Sequence, residues 1–414
     1  MKKFRDIPMK VTLTNSAIIL SSLILAACGS DSDDHSDAHE EHEHALMISQ
    51  QNTTALSFLE EGAAENLDDA AAANGAALLL SNTGEHAAII TAGQVQFVVA
   101  HLEEEEEGEA HDEEEHELPE LSTLELSSST AQPIVANTIG HFSVLVDGVT
   151  QLVPYSSLEE GATPEAEELG LDIADSEEYP ALLLEEGDEV VALGFDGINA
   201  KIYEDGAASD VVEHSTACET VNSSVHSGEF ALVSCDNASF SVKLEEGVSD
   251  HTIEITTIAG VSTPVTWATR GGVFVGLGND DKFYVLEENA DEELELEGSA
   301  FDVPASMCGW GIDSLEADIF ALTATQITIF DHEGESHSIT LDETENADCD
   351  DLRMTTSNSA VFVFDNLNGV LYEIDKEVDA TEYHIHGRED LSVDDVADAV
   401  NFHEVGTESH DHEH

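Results

Sequence analysis

Histidine is the residue whose distribution stands out in this chain. Twenty of the 414 residues are histidine, and many of them lie in three segments that are also rich in Asp and Glu. The segments contain, in order, His35, His39, His42 and His44; then His101, His111 and His116; and finally His403, His410, His412 and His414. Imidazole nitrogen and carboxylate oxygen are common zinc ligands, whereas calcium needs no imidazole. The segments therefore predict binding of zinc, with other divalent metal ions as alternatives.

The rest of the chain repeats one pattern that would have to position these histidines. Seven copies of an apolar strand, a turn and a second strand follow one another at spacings of 40 to 55 residues. They begin at Ala87, Phe142, Val190, Phe230, Val273, Ile319 and Val361. Turn pairs such as Asp147-Gly148 indicate hairpins, and weaker strands flank most copies, which gives the length of a propeller blade. The sequence predicts an all-β, seven-bladed β-propeller over residues 46–390, closed by residues 45–60 in the last blade, rather than a β-sandwich.

The repeat predicts that histidines distant in sequence lie on one face of the ring. The link between a blade's first and second strands and the link between its third and fourth strands leave the sheet at the same edge. Links of the first kind contain His86, His141 and His226, and the third-to-fourth link of blade one is the run 102–120, with 12 acidic residues. The predicted metal-binding face therefore holds His86, His101, His111, His116, His141 and His226. The alternatives are a solvated acidic loop and ordinary turn histidines.

Two more histidines form a separate candidate. His384 and His386 are two positions apart in a strand, and side chains in a strand alternate between its two faces. The spacing predicts a weak chelate on one side of that strand. The terminal segments at 28–45 and 391–414 have no apolar period, so we expect them to be disordered tails that capture metal.

The N-terminal residues have the features of an export signal. A basic start precedes the apolar run Ala17 to Ala27, which is short for a membrane span. The run ends in Leu25-Ala26-Ala27-Cys28-Gly29, which resembles the lipobox of bacterial lipoproteins. That resemblance implies removal of residues 1–27, a lipid on Cys28 and anchoring that faces the periplasm or cell surface, on the outer membrane in a Gram-negative cell. The alternative is an ordinary signal peptide followed by a chance cysteine.

The charge balance excludes several classes of partner. The chain has 90 acidic and 11 basic residues, and the part after residue 27 has 89 and seven, a net charge of −82. So few Lys and Arg residues cannot neutralise nucleic-acid phosphates or dock on an anionic membrane, which leaves the lipid as the membrane contact. Hydrophobic residues make up 41% of the chain, enough for a sizeable core.

The four remaining cysteines predict disulfides. Cys218, Cys235, Cys308 and Cys349 are an even number in an exported chain, and they allow three pairings. The blade register favours Cys218–Cys235 within blade four and Cys308–Cys349 between blades six and seven. A thiolate metal site is the alternative, although the chain has no CxxC motif.

Three stretches resemble the AztD-type zinc metallochaperones. They are Glu109-Ala110-His111-Asp112 through His116, His141-Phe142 through Asp147-Gly148, and Cys218 through His226-Ser227-Gly228 followed by Cys235. The resemblance implies a periplasmic seven-bladed propeller that hands zinc to the solute-binding protein of an ABC importer.

No enzymatic motif accompanies these features. The sequence has no GxSxG, HExxH, P-loop or Rossmann glycine pattern, so we expect no enzymatic activity. The leading hypothesis is an exported zinc-binding lipoprotein that captures metal and holds or delivers it from one propeller face. The alternative is a protein-interaction or scaffold propeller whose acidic surface keeps it soluble in salt, with incidental histidines.

Overall fold

The structure is a computed structural model of the chain. It describes residues 45–51, 56–60, 63–67, 75–100, 120–129, 132–159, 162–169, 179–186, 189–195, 199–204, 207–213, 218, 220–227, 230–245, 252–270, 273–289, 293–313, 318–331, 334–341, 347–357, 360–376, 383–391, 393 and 395–402. The predicted signal sequence with Cys28, the residues up to 44 and those from 403 onward lie outside this set. Within it, no helix is long and apolar enough to cross a membrane.

Strands make up nearly all of the regular structure, together with one turn of 3-10 helix at Tyr155–Ser157. In chain order the strands are β1 (Ala45–Gln50), β2 (Leu56–Glu60), β3 (Ala63–Leu67), β4 (Ala77–Leu80), β5 (His86–Ile90), β6 (Gln94–Val99), β7 (Glu120–Ser127), β8 (Ile134–Thr138), β9 (His141–Val146), β10 (Val149–Pro154), β11 (Glu167–Glu168), β12 (Leu182–Glu186), β13 (Glu189–Phe195), β14 (Asn199–Glu204), β15 (Ala207–Glu213), β16 (Val221–Ser227), β17 (Phe230–Cys235), β18 (Ser239–Glu245), β19 (Thr252–Thr257), β20 (Val265–Arg270), β21 (Val273–Gly278), β22 (Lys282–Glu288), β23 (Leu294–Leu296), β24 (Phe301–Asp302), β25 (Met307–Ile312), β26 (Ile319–Thr323), β27 (Gln326–Phe330), β28 (Ser336–Thr340), β29 (Leu352–Thr356), β30 (Ala360–Asp365), β31 (Val370–Lys376), β32 (Tyr383–Asp390) and β33 (Val396–Phe402).

The seven predicted blades are all present, which confirms the β-propeller. Blade one contains β4–β7, blade two β8–β11, blade three β12–β15, blade four β16–β19, blade five β20–β24, blade six β25–β28 and blade seven β29–β32. The middle hairpin of every blade begins within one residue of its predicted start, as His86 does against the predicted Ala87. The first strand of each blade is its inner strand, because these strands contact one another around the ring.

The ring is closed by an eighth sheet that the repeat did not contain. Its order is β3-β2-β1-β33, so three N-terminal strands pair with the last strand of the chain. We call it the closing sheet. Its inner strand β33 contacts β4 of blade one and β29 of blade seven. The prediction that residues 45–60 complete blade seven is wrong, and the propeller extends past residue 390 to Phe402, because β1 bonds to β33 and not to β32.

Among the strands whose burial the structure describes, burial decreases from the middle of a blade to its outer strand. Every residue of the second strands β17 and β30 is buried, so these strands are covered on both faces by neighbouring blades. This explains their largely apolar sequences. The outer strand β28 is exposed at four of its five positions. Outer strands therefore have room for the acidic residues that give the chain its charge.

Polar side chains of the inner strands bind the backbone of the next blade. Thr138 Oγ1 donates to the carbonyl of Leu183 at 3.0 Å and accepts from its N–H at 2.6 Å. Asp398 Oδ2 of the closing sheet accepts from the N–H of Leu78 in blade one at 2.8 Å. Burial raises the pKa of Asp398, opposed by the N–H groups of Leu78 and Ala399 and by the Arg353 charge. These bonds fix adjacent blades to one another near the ring axis.

Both favoured disulfides are present. Cys218–Cys235 lies within blade four, and Cys308–Cys349 joins β25 of blade six to the segment before β29 of blade seven, with Cα atoms 5.4 Å and 4.7 Å apart. The thiolate metal site is therefore excluded for these four cysteines. Disulfides form and persist in oxidising compartments, so the pairing fits an exported protein.

Candidate metal site

His86 begins the second strand of blade one and is held on several sides. Its backbone N–H donates to Ser81 Oγ at 3.1 Å, and its Nδ1 lies 3.5 Å from Thr83 Oγ1. The imidazole stacks on the Tyr155 ring, with centroids 5.3 Å apart and planes at 15°. Only 2% of His86 is exposed to solvent. Packing therefore sets the orientation of this ring, and a metal would reach it only through neighbouring groups.

The acidic, His-rich run of blade one is attached at both ends beside His86. Val99 pairs with His86 on one side and with Glu120 on the other. The N–H of Ala100 donates to the carbonyl of Glu85 at 2.8 Å. The run between Ala100 and Glu120, with His101, His111 and His116, lies outside the described residues. The run therefore starts at Ala100, beside the start of β5, and ends at Glu120, one strand further out in the same blade.

His141 begins the second strand of blade two, at the position that His86 has in blade one. Its Nδ1 is 2.6 Å from the carbonyl oxygen of Ile139. A carbonyl only accepts, so Nδ1 carries the proton and the neutral ring keeps its lone pair on Nε2. Histidines that bind metal are commonly oriented by such a bond from the other ring nitrogen. Because His141 is half-buried, its Nε2 is the better-prepared metal donor of the two.

His86 and His141 define one face of the ring, which we call the histidine face. It is the face where the first-to-second-strand links leave each sheet. His226 also lies at this end of its blade, one residue before the end of the inner strand β16, and is 7% exposed. The inner strands β8 of blade two and β16 of blade four contact each other, so blade three does not separate His226 from the blade that carries His141.

Both chain ends leave the ring on the histidine face. Ala45 and Phe402 are Cα partners in the closing sheet, where β33 is the inner strand and β1 the second strand. The pair therefore occupies the place that Thr138 and His141 occupy in blade two. The linker that carries His35, His39, His42 and His44 and the tail that carries His403, His410, His412 and His414 are attached at this one point, beside blade one.

The pair His384 and His386 lies on β32, the outer strand of blade seven. His384 Nε2 lies 3.9 Å from Asp375 Oδ1, its partner residue on β31. The register shifts immediately beyond this pair, because Ile374 pairs with Ile385 but Glu373 pairs with Gly387. Such a bulge interrupts the alternation of residues along β32 at this point. The side chain of His386 lies outside the described part of the chain.

A second polar cluster, which the sequence did not predict, joins blades six and seven. The Tyr383 hydroxyl donates to Asp313 Oδ2 at 2.6 Å, and Asp318 lies across the same hairpin link. Asp313 and Asp318 are 1% and 8% exposed. Burial, and then the charge of Asp313, raises the pKa of Tyr383, which keeps the phenol protonated. Nothing in the spacing of these residues indicated that they meet.

The donors on the histidine face fit zinc in type but do not complete a site. Among the residues that the structure describes, no three His, Cys, Asp or Glu side chains lie close enough to hold a metal ion. A complete site would need further donors from the run 101–119, which is attached beside His86.

The fold can be compared with solved structures. No protein-family model matches the chain, and no curated protein matches its sequence. The structure of apo AztD from Citrobacter koseri matches with a TM-score of 0.63 at 16% identity, over 87% of this chain and 99% of that one. A second crystal structure of Citrobacter koseri AztD matches with the same TM-score at 15% identity, over 87% and 98%. This chain is therefore similar in fold to AztD over nearly the whole of the AztD chain.

Proposed function

We propose that this protein is an exported, zinc-binding β-propeller that collects zinc through its His- and acid-rich segments and holds or delivers it from the histidine face. Zinc is the cargo in this proposal, and the chain is a carrier rather than an enzyme. The likeness in fold to AztD supports the proposal, because AztD-type proteins are zinc metallochaperones.

The observation that carries the proposal is the common attachment of three histidine-rich segments. The linker and the tail are attached at Ala45 and Phe402, and the acidic run is attached at Ala100 and Glu120 in the neighbouring blade. All three attachments, and His141 with its Nε2 lone pair, are on one face. Imidazoles and carboxylates brought together in this way are the donor set of zinc.

We assign the residues to two roles. Capture would involve the tail histidines, His35, His39, His42, His44, His410, His412 and His414. Holding would involve His86 and His141 with His101, His111 and His116, and His226 as a further candidate; His384 and His386 would be a weaker, separate pair. The described residues then position the ligands that the acidic run supplies.

The same proposal includes the anchoring and the recipient. A lipid on Cys28 would retain the propeller at a membrane surface, facing the periplasm or the cell exterior, while the linker lets it move. A solute-binding protein of a metal importer is the recipient that the AztD likeness suggests. The two disulfides support export.

A loop replacement tests the metal site directly. Since Val99 pairs with both His86 and Glu120, a short Gly-Ser turn can join Ala100 to Glu120 without disturbing the sheet. Zinc would be titrated into the metal-free full chain against a chelator of known affinity. We expect wild-type binding tighter than about 1 μM. The replacement should weaken it at least about tenfold, since even outer-shell partners of a metal are worth about 10–100-fold.

Two matched variants separate histidine from charge and from position. Replacing His101, His111 and His116 by Asn keeps all acidic residues of the run and should reproduce the loss. The control His337→Ala removes an exposed imidazole from the outer strand of blade six and should leave the affinity unchanged. A wild-type protein with no site tighter than about the micromolar range would refute the proposal and favour an interaction scaffold.

A further inference from the structure

We infer that Tyr155 is the positioning residue of the zinc site, holding His86 of blade one and the turn before His141 of blade two in a fixed relation. The expected effect on zinc affinity rests on the proposed function. The placement of His86 and of the turn before His141 rests on the described contacts alone. No residue pattern in the sequence pointed to Tyr155.

The Tyr155 ring forms one wall of the His86 pocket. It lies parallel to the imidazole, at 5.3 Å and 15°, and is itself 5% exposed. On its other side the ring meets the edge of Phe142, with centroids 5.0 Å apart and planes at 73°. Phe142 follows His141 directly in sequence. The Tyr155 ring therefore contacts His86 itself and the residue next to His141.

The backbone of Tyr155 fixes the turn before His141. Its N–H donates to the carbonyl of Gly140 at 2.9 Å, and its carbonyl accepts from the N–H of Leu158 at 2.8 Å to close a 3-10 turn. Gly140 has a positive φ of 59°, the conformation that glycine adopts without strain. The carbonyl that orients the His141 ring belongs to Ile139, in the same turn. Tyr155 thereby stabilises the turn that sets the His141 tautomer.

The hydroxyl of Tyr155 belongs to a chain of hydrogen bonds that links the two blades. It lies 3.4 Å from Asn137 Oδ1, and the Asn137 amide donates to the carbonyl of Leu80. The next residue, Ser81, accepts from the backbone N–H of His86 through its Oγ. Each of the two histidine-bearing turns is therefore connected to the other through Tyr155. Burial raises the pKa of Tyr155, so the hydroxyl stays protonated and able to donate.

The consequence for zinc is a defined direction for each imidazole before metal arrives. Removing the Tyr155 ring would free His86 to rotate, whereas the backbone bond from residue 155 to Gly140 would remain, so the metal would have to orient the His86 donor on binding. Outer-shell partners that orient metal ligands are worth about 10–100-fold in affinity.

The test compares Tyr155→Leu with Tyr155→Phe in the full chain. Zinc affinity is measured by chelator competition, and the His86 ring proton resonance is followed by NMR in the metal-free protein at constant pH. We expect Tyr155→Leu to weaken zinc binding about 10–100-fold and to abolish the upfield ring-current shift of His86. Tyr155→Phe keeps the ring and should retain that shift and most of the affinity.

Tyr179→Leu is the matched control. Tyr179 is a partly buried tyrosine that packs against another core cluster, so the variant loses a packed phenol without removing the ring that stacks on His86. It should lose stability but keep both the affinity and the His86 shift. If Tyr155→Leu fails to fold, Asn137→Ala decides, because it removes both the acceptor of the Tyr155 hydroxyl and the amide that donates to Leu80 beside Ser81. It should move the His86 resonance and lower the affinity more than Tyr155→Phe does.

The outcomes distinguish this inference from the proposed function. A wild-type protein that does not bind zinc would refute the function, while the His86 resonance would still report whether Tyr155 positions the ring. A folded Tyr155→Leu, or Asn137→Ala in its place, with wild-type affinity and an unmoved His86 resonance would overturn the inference.

Discussion

The disulfide between blades six and seven offers the most quantitative test of how the ring is held together. Cys308 and Cys349 are 41 residues apart in sequence, whereas Cys218 and Cys235 within blade four are 17 apart. The chain-entropy model of cross-linking gives about 4 kcal/mol for the longer loop and about 3 kcal/mol for the shorter one at 25 °C. Replacing both cysteines of a pair by serine should lower the free energy of unfolding by these amounts. The interblade bond should be the more costly one to remove.

The assay is urea unfolding of the wild-type chain and the two double variants. The chain has two tryptophans, Trp267 in blade five and Trp310 in blade six, so their fluorescence reports on the region next to the interblade bond. Far-UV circular dichroism measured in parallel establishes whether the ring unfolds in one step, which the free-energy comparison requires. The reasoning is refuted if Cys308→Ser with Cys349→Ser costs less than about 1 kcal/mol, or less than the variant in blade four.

Three further predictions concern the buried polar groups and the metal. Tyr383→Phe should lower the unfolding free energy by about 1–3 kcal/mol, because the buried carboxylate of Asp313 loses the hydrogen bond from the Tyr383 hydroxyl. The control is Tyr284→Phe, which removes a hydrogen bond to the exposed Asp280 and should cost less in the same denaturation assay. Burial raises the pKa of Asp398 in the folded protein, so the folded form keeps a proton at pH values where the unfolded chain has lost it. The stability that this proton contributes therefore declines as the pH rises above about 4. Melting temperatures measured across acidic pH should show this decline in the wild type and a flatter profile in Asp398→Asn; identical profiles would contradict it. Zinc affinity should fall as the pH drops through about 6, because imidazoles must lose their protons to bind, and chelator competition at several pH values would show no such fall if carboxylates alone held the metal.

Local patterns predicted most of the fold. Each middle hairpin has apolar strands around a turn, so its start could be located to within one residue, and the cysteine register followed from the same spacing. The closing sheet could not be found in this way. β33 lies in an acidic segment that reads as a tail, and its partner β1 is at the other end of the chain. No local period reports a pairing over such a distance.

The candidate site was predicted only at the level of placement. The repeat correctly put His86 and His141 at equivalent ends of adjacent blades. It gave no sign of Tyr155, because the stacking of that ring depends on the side-by-side packing of two blades. The alternation rule also gave no sign of the bulge in β32, whose register shift depends on the partner strand.

The closing sheet has a consequence for the order in which the chain can fold. A chain made from its N-terminus produces β1 early, but the strand that covers the edge of β1 is produced last, since Ala45 pairs with Phe402. For nearly the whole of synthesis the first strands expose an open edge, which is a template for aggregation. The formal charge of −79 acts on this unfinished chain, since like charges keep neighbouring copies apart while the last residues arrive. The acidic residues would then protect the chain from aggregation mainly before the ring has closed. The time until β33 pairs with β1 would set how long that protection is needed.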